Sequence, residues 1–487
     1  MKDTKNSARE GVYSRLFKVS NIEIVHETTD SDVLSGLVSD RVRALSVYNG
    51  RSSAERIVQV SISVPATDPL EWLSKVETDH ATFWSSRDSQ FAAAGAEYAL
   101  KLSGETDFFT SADRERMTGL LAEADGDVRF YGGLRFNPAG DVGAEWEPFN
   151  SYSFVIPRFE LLHRDGTSRF KVNLLLPDDF DVIDEIVEAI PHMLAQIDRH
   201  PDSESKATVR VASRTDHPNR RGWKKNIDWA LSAFSRSRLG KVVLARRSVY
   251  ALDETLDGAR ALAMLKQETP DCFHFLFSPV HGTAFVGASP ERLLSIQDRK
   301  VVSEAVAGTR PRGIDESNDA RLRDELLHSE KDQREHQFVR MTIKDTLSNY
   351  CDVLLVDNEA KEMILSRGRH LVSHIEGILR RETDTLNVIR DLHPTAAVGG
   401  YPTSDAMDVI EGLEPFDRGW YAGPVGWIGA ASAEFAVAIR SGLIIDRELS
   451  LYTGAGIVGG SNADSEWNEI EQKLQDFVQV FGLDESS

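Results

Sequence analysis

Cysteine is nearly missing from this 487-residue chain, which has only Cys272 and Cys351. Two thiols cannot build a disulfide framework or a multi-thiolate metal site, and their scarcity predicts a reducing, cytoplasmic setting. Positive charge is also in short supply: 56 Lys and Arg stand against 77 Asp and Glu, a net charge of −21. So acidic a surface repels phosphate backbones, and no local basic patch offsets it, which excludes general nucleic-acid binding. Long apolar runs are lacking too. The first 25 residues carry basic side chains but no continuous apolar stretch of the kind a secretory leader needs. The most apolar long segment, Tyr421 to Ile445, contains Glu434, Arg440 and several glycines, so it predicts glycine-punctuated strands and no membrane span. What remains, 41% hydrophobic and 27% charged, is the composition of a globular protein long enough to bury a large core.

No fixed-period repeat or low-complexity block divides the chain. The polar, turn-rich stretch 200–221 predicts a soft boundary between a β-rich part, residues 1–210, and a second part, 211–487, both integrated into one structural domain. Upstream, alternating segments flank Asp165-Gly166 as a hairpin. Residues 181–198 show a helical stripe of Val182, Ile183, Ile186, Val187 and Ile190, with Pro191 as a kink or break. Downstream, a helix over 223–236 is predicted to end at Gly240, and a strand to span 241–252. Short strands follow at 273–277, 283–288, 292–297 and 300–307. Long helices are predicted over 319–350 and 465–481, and two strands, 434–445 and 449–458, around Asp446. Hairpins outnumber crossovers, which predicts an α+β fold of antiparallel sheets covered by helices.

Several residues carry chemistry. Gly454, Gly456 and Gly459 match G-x-G-x-x-G after a strand and before a helix, but the 28 residues beyond Gly459 leave no room for the second strand of a dinucleotide fold. Glycines there still let backbone N–H groups approach a carboxylate or a phosphate. Glu466, Glu469 and Lys473 share one helical stripe, and Asp332 and Glu335 share another. Such hard oxygen donors suit Mg²⁺, although acidic residues in a first helical turn also answer the helix dipole. Lys241 opens a strand and Glu291 follows Ser289-Pro290. Either could move a proton only if its surroundings shift its pKa, and each reads equally as a structural residue. Alternation puts Glu434, Ala436, Ala438 and Arg440 on one strand face, so Arg440 reads either as a carboxylate clamp or as a partner of Glu434. His393 could be a hydrogen-bonded loop residue.

Taken in order, GKVVLARR (240–247), GASPERLL (287–294), SEAVAGTRPRG (303–313), SEKDQREHQFV (329–339), HLVSHIEG (370–377), LHPTAAVGGYP (392–402), FDRGWYAGPVGWIG (416–429), FAVAIRSG (435–442) and GAGIVGGSNADSEWNEIEQK (454–473) resemble the chorismate-utilising enzymes. This family includes isochorismate, salicylate and aminodeoxychorismate synthases and the large subunit of anthranilate synthase. YGGLRF (131–136) and WEPFNSYSFVIPRFELL (146–162) resemble its N-terminal strands. Lys241 stands where members that add water resemble this chain and amine-adding members carry glutamine. Ala307 occupies the position of the lysine nucleophile of aminodeoxychorismate synthases.

The resemblance implies an anthranilate-synthase-component-I-like fold, two large mainly antiparallel sheets packed as a sandwich with helices outside. It further implies a Mg²⁺-dependent isochorismate synthase acting on chorismate, a cytoplasmic monomer whose product feeds menaquinone or siderophore synthesis. In that reading Lys241 is the base toward water at C2 and Glu291 the acid toward the C4 hydroxyl. Glu335, Glu466 and Glu469 hold the metal, with Asp332 too short for a sure direct bond. Gly308, Thr309, His393, Ala397, Arg440, Gly454, Gly456 and Lys473 surround the substrate. Salicylate synthase, which goes on to eliminate pyruvate, is the nearest alternative. A non-catalytic carboxylate- or partner-binding protein is the alternative from another class, and the retained Lys241, Glu291, Glu335, Glu466 and Glu469 argue against it.

Overall fold

A computed structural model describes residues 21–483 apart from 27, 48–53, 106–107, 125–126, 141, 199–208 and 367. Residues 200–208 of the predicted boundary and most of the segment 1–25 therefore lie outside the described residues. The strands form one continuous hydrogen-bonded ladder in two branches, antiparallel throughout except where Asn21–Ile24 runs parallel to Arg56–Val64. The first branch passes from those two strands through Thr167–Leu176, Tyr152–Arg164, Phe91–Gly104, Ala81–Ser85, Phe273–Val280, Thr283–Ser289, Ser441–Ile445 and Glu448–Val458 to Lys241–Leu252 and Val211–His217. The second leaves Tyr152–Arg164 through Arg129–Leu134, Pro424–Gly429, Ser432–Val437, Arg292–Gln297 and Lys300–Pro311 to Gly368–Leu379.

Period-two alternation assigns the faces. Phe273, Phe275 and Phe277 point with Phe285, Phe154, Phe435 and Trp420 into the core shared by both branches. Leu276, Val286, Ile444, Leu449 and Leu451 point the other way and pack on helices, meeting Ile186, Ile190 and Leu194 of Ile183–Asp198 and Leu474, Phe477 and Phe481 of Ala463–Phe481. The result is the expected sandwich of antiparallel sheets with helices outside. Among the described residues no helix is long and apolar enough to cross a membrane.

Four predicted elements differ in the structure. The helix expected over 319–350 is two, Glu316–Leu327 and Glu330–Ser348, because Ser329 caps the second by accepting from the Asp332 amide at 3.2 Å. The strand expected over 434–445 is Ser432–Val437 and Ser441–Ile445, parted by Arg440 at φ +49°. The helix Arg220–Phe234 ends at Ser235, while the Gly240 amide donates to Tyr401 O at 2.8 Å. Helix Ile183–Asp198 runs through Pro191 without ending, which removes the break from the two outcomes expected there.

Candidate active site

The strand breaks and helix starts converge on one cavity of about 120 Å³. Glu291 enters from the turn between Thr283–Ser289 and Arg292–Gln297, where the chain passes from the first branch to the second. Gly308 and Thr309 enter from a bulge in Lys300–Pro311, where Gly308 at φ +70° supplies the extra unpaired residue. Glu335 and Asp332 project from the capped helix Glu330–Ser348, Glu469 and Lys473 from Ala463–Phe481, Ala397 from the loop after His393, and Arg440 from the strand break. Gly454 and Gly456 line the wall on Glu448–Val458, register-paired with the strand of Lys241.

Lys241 itself is fully buried just behind that wall. Its Nζ lies 3.1 Å from Glu335 Oε1, in ion-pair contact but without hydrogen-bond geometry. A methyl group at Gly456 would collide with Glu335 Oε1 and lie 3.1 Å from Lys241 Cε, so only glycine leaves room for this lysine–carboxylate contact. Burial pushes the Glu291 carboxyl up to about 8; Lys241 and Lys473 pull it down and Glu304 pushes it further up. Glu291 therefore keeps its proton at neutral pH, close enough to Lys241 and Lys473 for their charges to count.

The carboxylates proposed for a metal are each held by a lysine. Glu335 meets Lys241, Glu469 meets Lys473 at 2.9 Å, and Glu466 meets Lys331 at 2.7 Å. Burial would raise Glu469, yet Lys473, Lys331 and Arg310 outweigh it and hold its pKa below the ordinary value. Burial keeps Glu466 above its ordinary value against the pull of Lys331. Among the described residues no three His, Cys, Asp or Glu side chains are gathered into a metal-sized group. The donor chemistry nonetheless suits a hard divalent cation, since Glu335 and Glu469 line one cavity and Glu466 Oε2 is buried with no hydrogen-bond partner.

Besides Lys241, two of the predicted residues stand apart from the cavity wall. Glu466 lies behind it, one helical turn before Glu469. His393 lies outside it because its ring is engaged elsewhere, with Nε2 2.9 Å from Phe136 O and its face edge-on to Phe136; burial holds its pKa near 4. Arg440 faces the cavity, not Glu434, which instead takes Arg292 at 3.3 Å, because the strand break rotates Arg440 out of register. Asp332 is bound by Arg310 at 2.8 Å.

Other wall residues were not singled out from the sequence. His370 stands opposite Thr309, with Nδ1 3.0 Å from Thr309 Oγ1 and 3.2 Å from Gly308 O, and Nε2 buried without a hydrogen-bond partner. Burial, with Arg440 and Lys473 nearby, depresses its pKa to about 3. Tyr421, stacked on Tyr452 with ring centres 5.1 Å apart, and Thr453 complete the wall. His370 opens the HLVSHIEG segment and Tyr421 lies in FDRGWYAGPVGWIG, so both segments are legible in the sequence, but only pairing across the sheet places these side chains at the cavity.

This cavity, lined by a protonated carboxyl, cationic side chains and further carboxylates with a lysine buried behind it, sits on the sandwich expected of one family. The sequence model described as chorismate binding enzyme matches residues 43–482, and the chain belongs to that family. Isochorismate synthase 2, chloroplastic, of Arabidopsis thaliana is 36% identical over 383 residues, covering 77% of this chain and 68% of the relative. Among solved structures, the menaquinone-specific isochorismate synthase MenF of Escherichia coli superposes with a TM-score of 0.78 at 26% identity, covering 92% of this chain and 99% of that one. Anthranilate synthase component I of Streptococcus pneumoniae shares the fold, with a TM-score of 0.67 at 17% identity over 82% of this chain and 93% of that one.

Proposed function

We propose that this protein is an isochorismate synthase. Chorismate would gain the oxygen of a water at C2 and lose its C4 hydroxyl as the ring double bonds shift, with no change of redox state. The observation that carries the reading is a Glu291 carboxyl that lines the cavity and keeps its proton up to about pH 8, within charge range of Lys241, which is buried just behind the cavity wall against Glu335. Lys241, in its neutral form, would withdraw the proton of the attacking water, and Glu291 would donate its own to the departing hydroxyl. Arg440 and Lys473, with the backbone around Gly308, Thr309, Ala397, Gly454 and Gly456, hold the substrate's carboxylates against a protein field of −21. Glu335 and Glu469, with Glu466 behind them, would hold Mg²⁺. When bound, the ion supplies positive charge that neutralises the ring carboxylate. The names of the relatives matched over most of the chain support this assignment.

Incubating the purified protein with chorismate and Mg²⁺ and separating the products by chromatography tests the proposal. Isochorismate alone is expected, and a chelator should abolish its formation reversibly. Salicylate with pyruvate would replace this reading by salicylate synthase, and binding of chorismate without turnover by a non-catalytic protein. Lys241→Ala and Glu291→Gln are each expected to fold normally, by circular dichroism, and to lower kcat by roughly 10²- to 10⁴-fold. A near-normal rate in either variant removes that residue's role.

A further inference from the structure

The turn that carries Glu291 is pinned by more than its neighbours in the chain. Two anchors run to Val437 of the neighbouring strand: Ser289 Oγ donates to Val437 O at 2.6 Å while accepting from the Glu291 amide at 3.2 Å, and the Val437 amide donates to Glu291 O at 3.1 Å. The third comes from some two hundred residues earlier. Arg87, in the connection between Ala81–Ser85 and Phe91–Gly104, donates from Nη1 to Pro290 O at 2.9 Å. The same guanidinium grips Glu304 through Nη1 at 2.9 Å and Nη2 at 2.6 Å. Glu304 is 2% exposed and also takes Arg292 at 3.1 Å, and both guanidiniums lie over the Phe273 ring, 5.4 Å from its centre.

Two arginines with Glu304 and Glu434 make a neutral group, so charge balance does not explain it. Buried ion pairs cost desolvation, and an apolar filling would be about as stable. An apolar filling could not hold the Pro290 carbonyl in a fixed direction or keep a fixed negative charge beside the acid. We propose that Arg87 is a positioning residue that aims the Glu291 carboxyl into the cavity through the Pro290 carbonyl, with buried Glu304 as the anchor that fixes its guanidinium. This rests on the reading of Glu291 as the proton donor. The charged and titratable groups that act on Glu291 are Lys241 from strand Lys241–Leu252, Lys473 from helix Ala463–Phe481, Glu304 from strand Lys300–Pro311 and the Tyr421 hydroxyl, and Asp332, Glu335, His370, Arg440 and Glu469 line the same cavity.

The test is kcat, KM and the pH profile of kcat for the full-length protein and for Glu291→Gln, Arg87→Met, Arg87→Lys and Glu304→Gln. Arg87→Met is expected to lower kcat about 10- to 100-fold, as a misplaced catalytic group does, with KM changed less than about twofold. Its alkaline limb should move to higher pH, because Glu304 then faces Glu291 with less opposing charge. Glu304→Gln should move that limb to lower pH. Arg87→Lys keeps the charge without the fork, so kcat should stay low while the limb stays in place; this variant and Glu304→Gln carry the test if Arg87→Met does not fold. Wild-type kcat in the Arg87 variants, or a limb that fails to move in opposite directions in Arg87→Met and Glu304→Gln, overturns the proposal. The Glu291→Gln arm judges the underlying reading separately: if the wild-type alkaline limb survives there, Glu291 is not the donor.

Discussion

Glu291 bears two opposing demands, and the conflict gives a stability signature. The residue is 4% exposed, and burial raises the pKa of its carboxyl from 4.5 to about 8. Below about pH 4.5 the group is protonated whether the chain is folded or unfolded, so it takes nothing from stability. Between 4.5 and 8 the unfolded chain releases the proton and the folded chain keeps it, so folding loses about 1.4 kcal/mol for each pH unit climbed. Above 8 both states are ionised and the penalty levels off. Glu291→Gln removes a titrating group from a site built for a neutral one. Urea unfolding should therefore find the variant as stable as the wild type near pH 4.5 and more stable by several kcal/mol, on the order of 3–5, near pH 8. Equal stabilities at both pH values would show that the carboxyl does not hold its proton in the folded chain. At this scale Lys241 and Glu291 could be picked out from the sequence as candidates, but the sign of the shift could not, because it depends on what surrounds the side chain.

Strands and helices were legible wherever one local signal dominated. Strand Lys241–Leu252 has the predicted bounds, as does Arg292–Gln297, because each is a β-branched or aliphatic-rich run set between turn residues. The misreadings come where a single backbone angle overrides the pattern. Alternation carries no sign that Arg440 turns to φ +49° and ends a strand, whereas the break at Ser329 did have a signal, Ser329 three residues before Asp332, which reads as a helix cap. Gly456 shows the converse, a glycine first weighed as part of a nucleotide motif whose use is steric and lies across to the next element. Gly456→Ala adds a methyl group whose first obstacle is the movable end of Glu335, so the ladder with Lys241–Leu252 should survive. The variant should keep its circular dichroism and lose less than about 1–2 kcal/mol of stability, as tolerated overpacking does. It should nevertheless lose most of its isochorismate formation, since Glu335 is pushed away from Lys241. Normal turnover in a well-folded Gly456→Ala would mean that the lysine–carboxylate contact is not needed.

Across the whole molecule the two parts expected on either side of residue 210 are joined by main-chain ladders. Ala81–Ser85 pairs with Phe273–Val280 in one branch, and Arg129–Leu134 with Pro424–Gly429 in the other. The aromatic core draws Trp84, Phe154 and Trp146 from the first part and Phe285, Trp420 and Phe435 from the second, with Trp146 and Phe285 rings in edge contact at 5.3 Å. Buried charge follows the same course, since Arg135 reaches Asp417 at 2.6 Å and Arg87 reaches Glu304. Either part alone would expose strand edges and one whole face of the aromatic core, a cost far larger than the ordinary net stability of a domain. A chain of this length commonly unfolds in steps, one domain after another. Here the shared ladders predict one calorimetric transition, with the calorimetric enthalpy close to the van't Hoff enthalpy, and chorismate should shift that transition as a unit. Two resolved transitions, of which only the later moves with chorismate, would mean that residues 211–487 hold the site without support from the N-terminal strands, and Arg87 could not then be what keeps Glu291 in place.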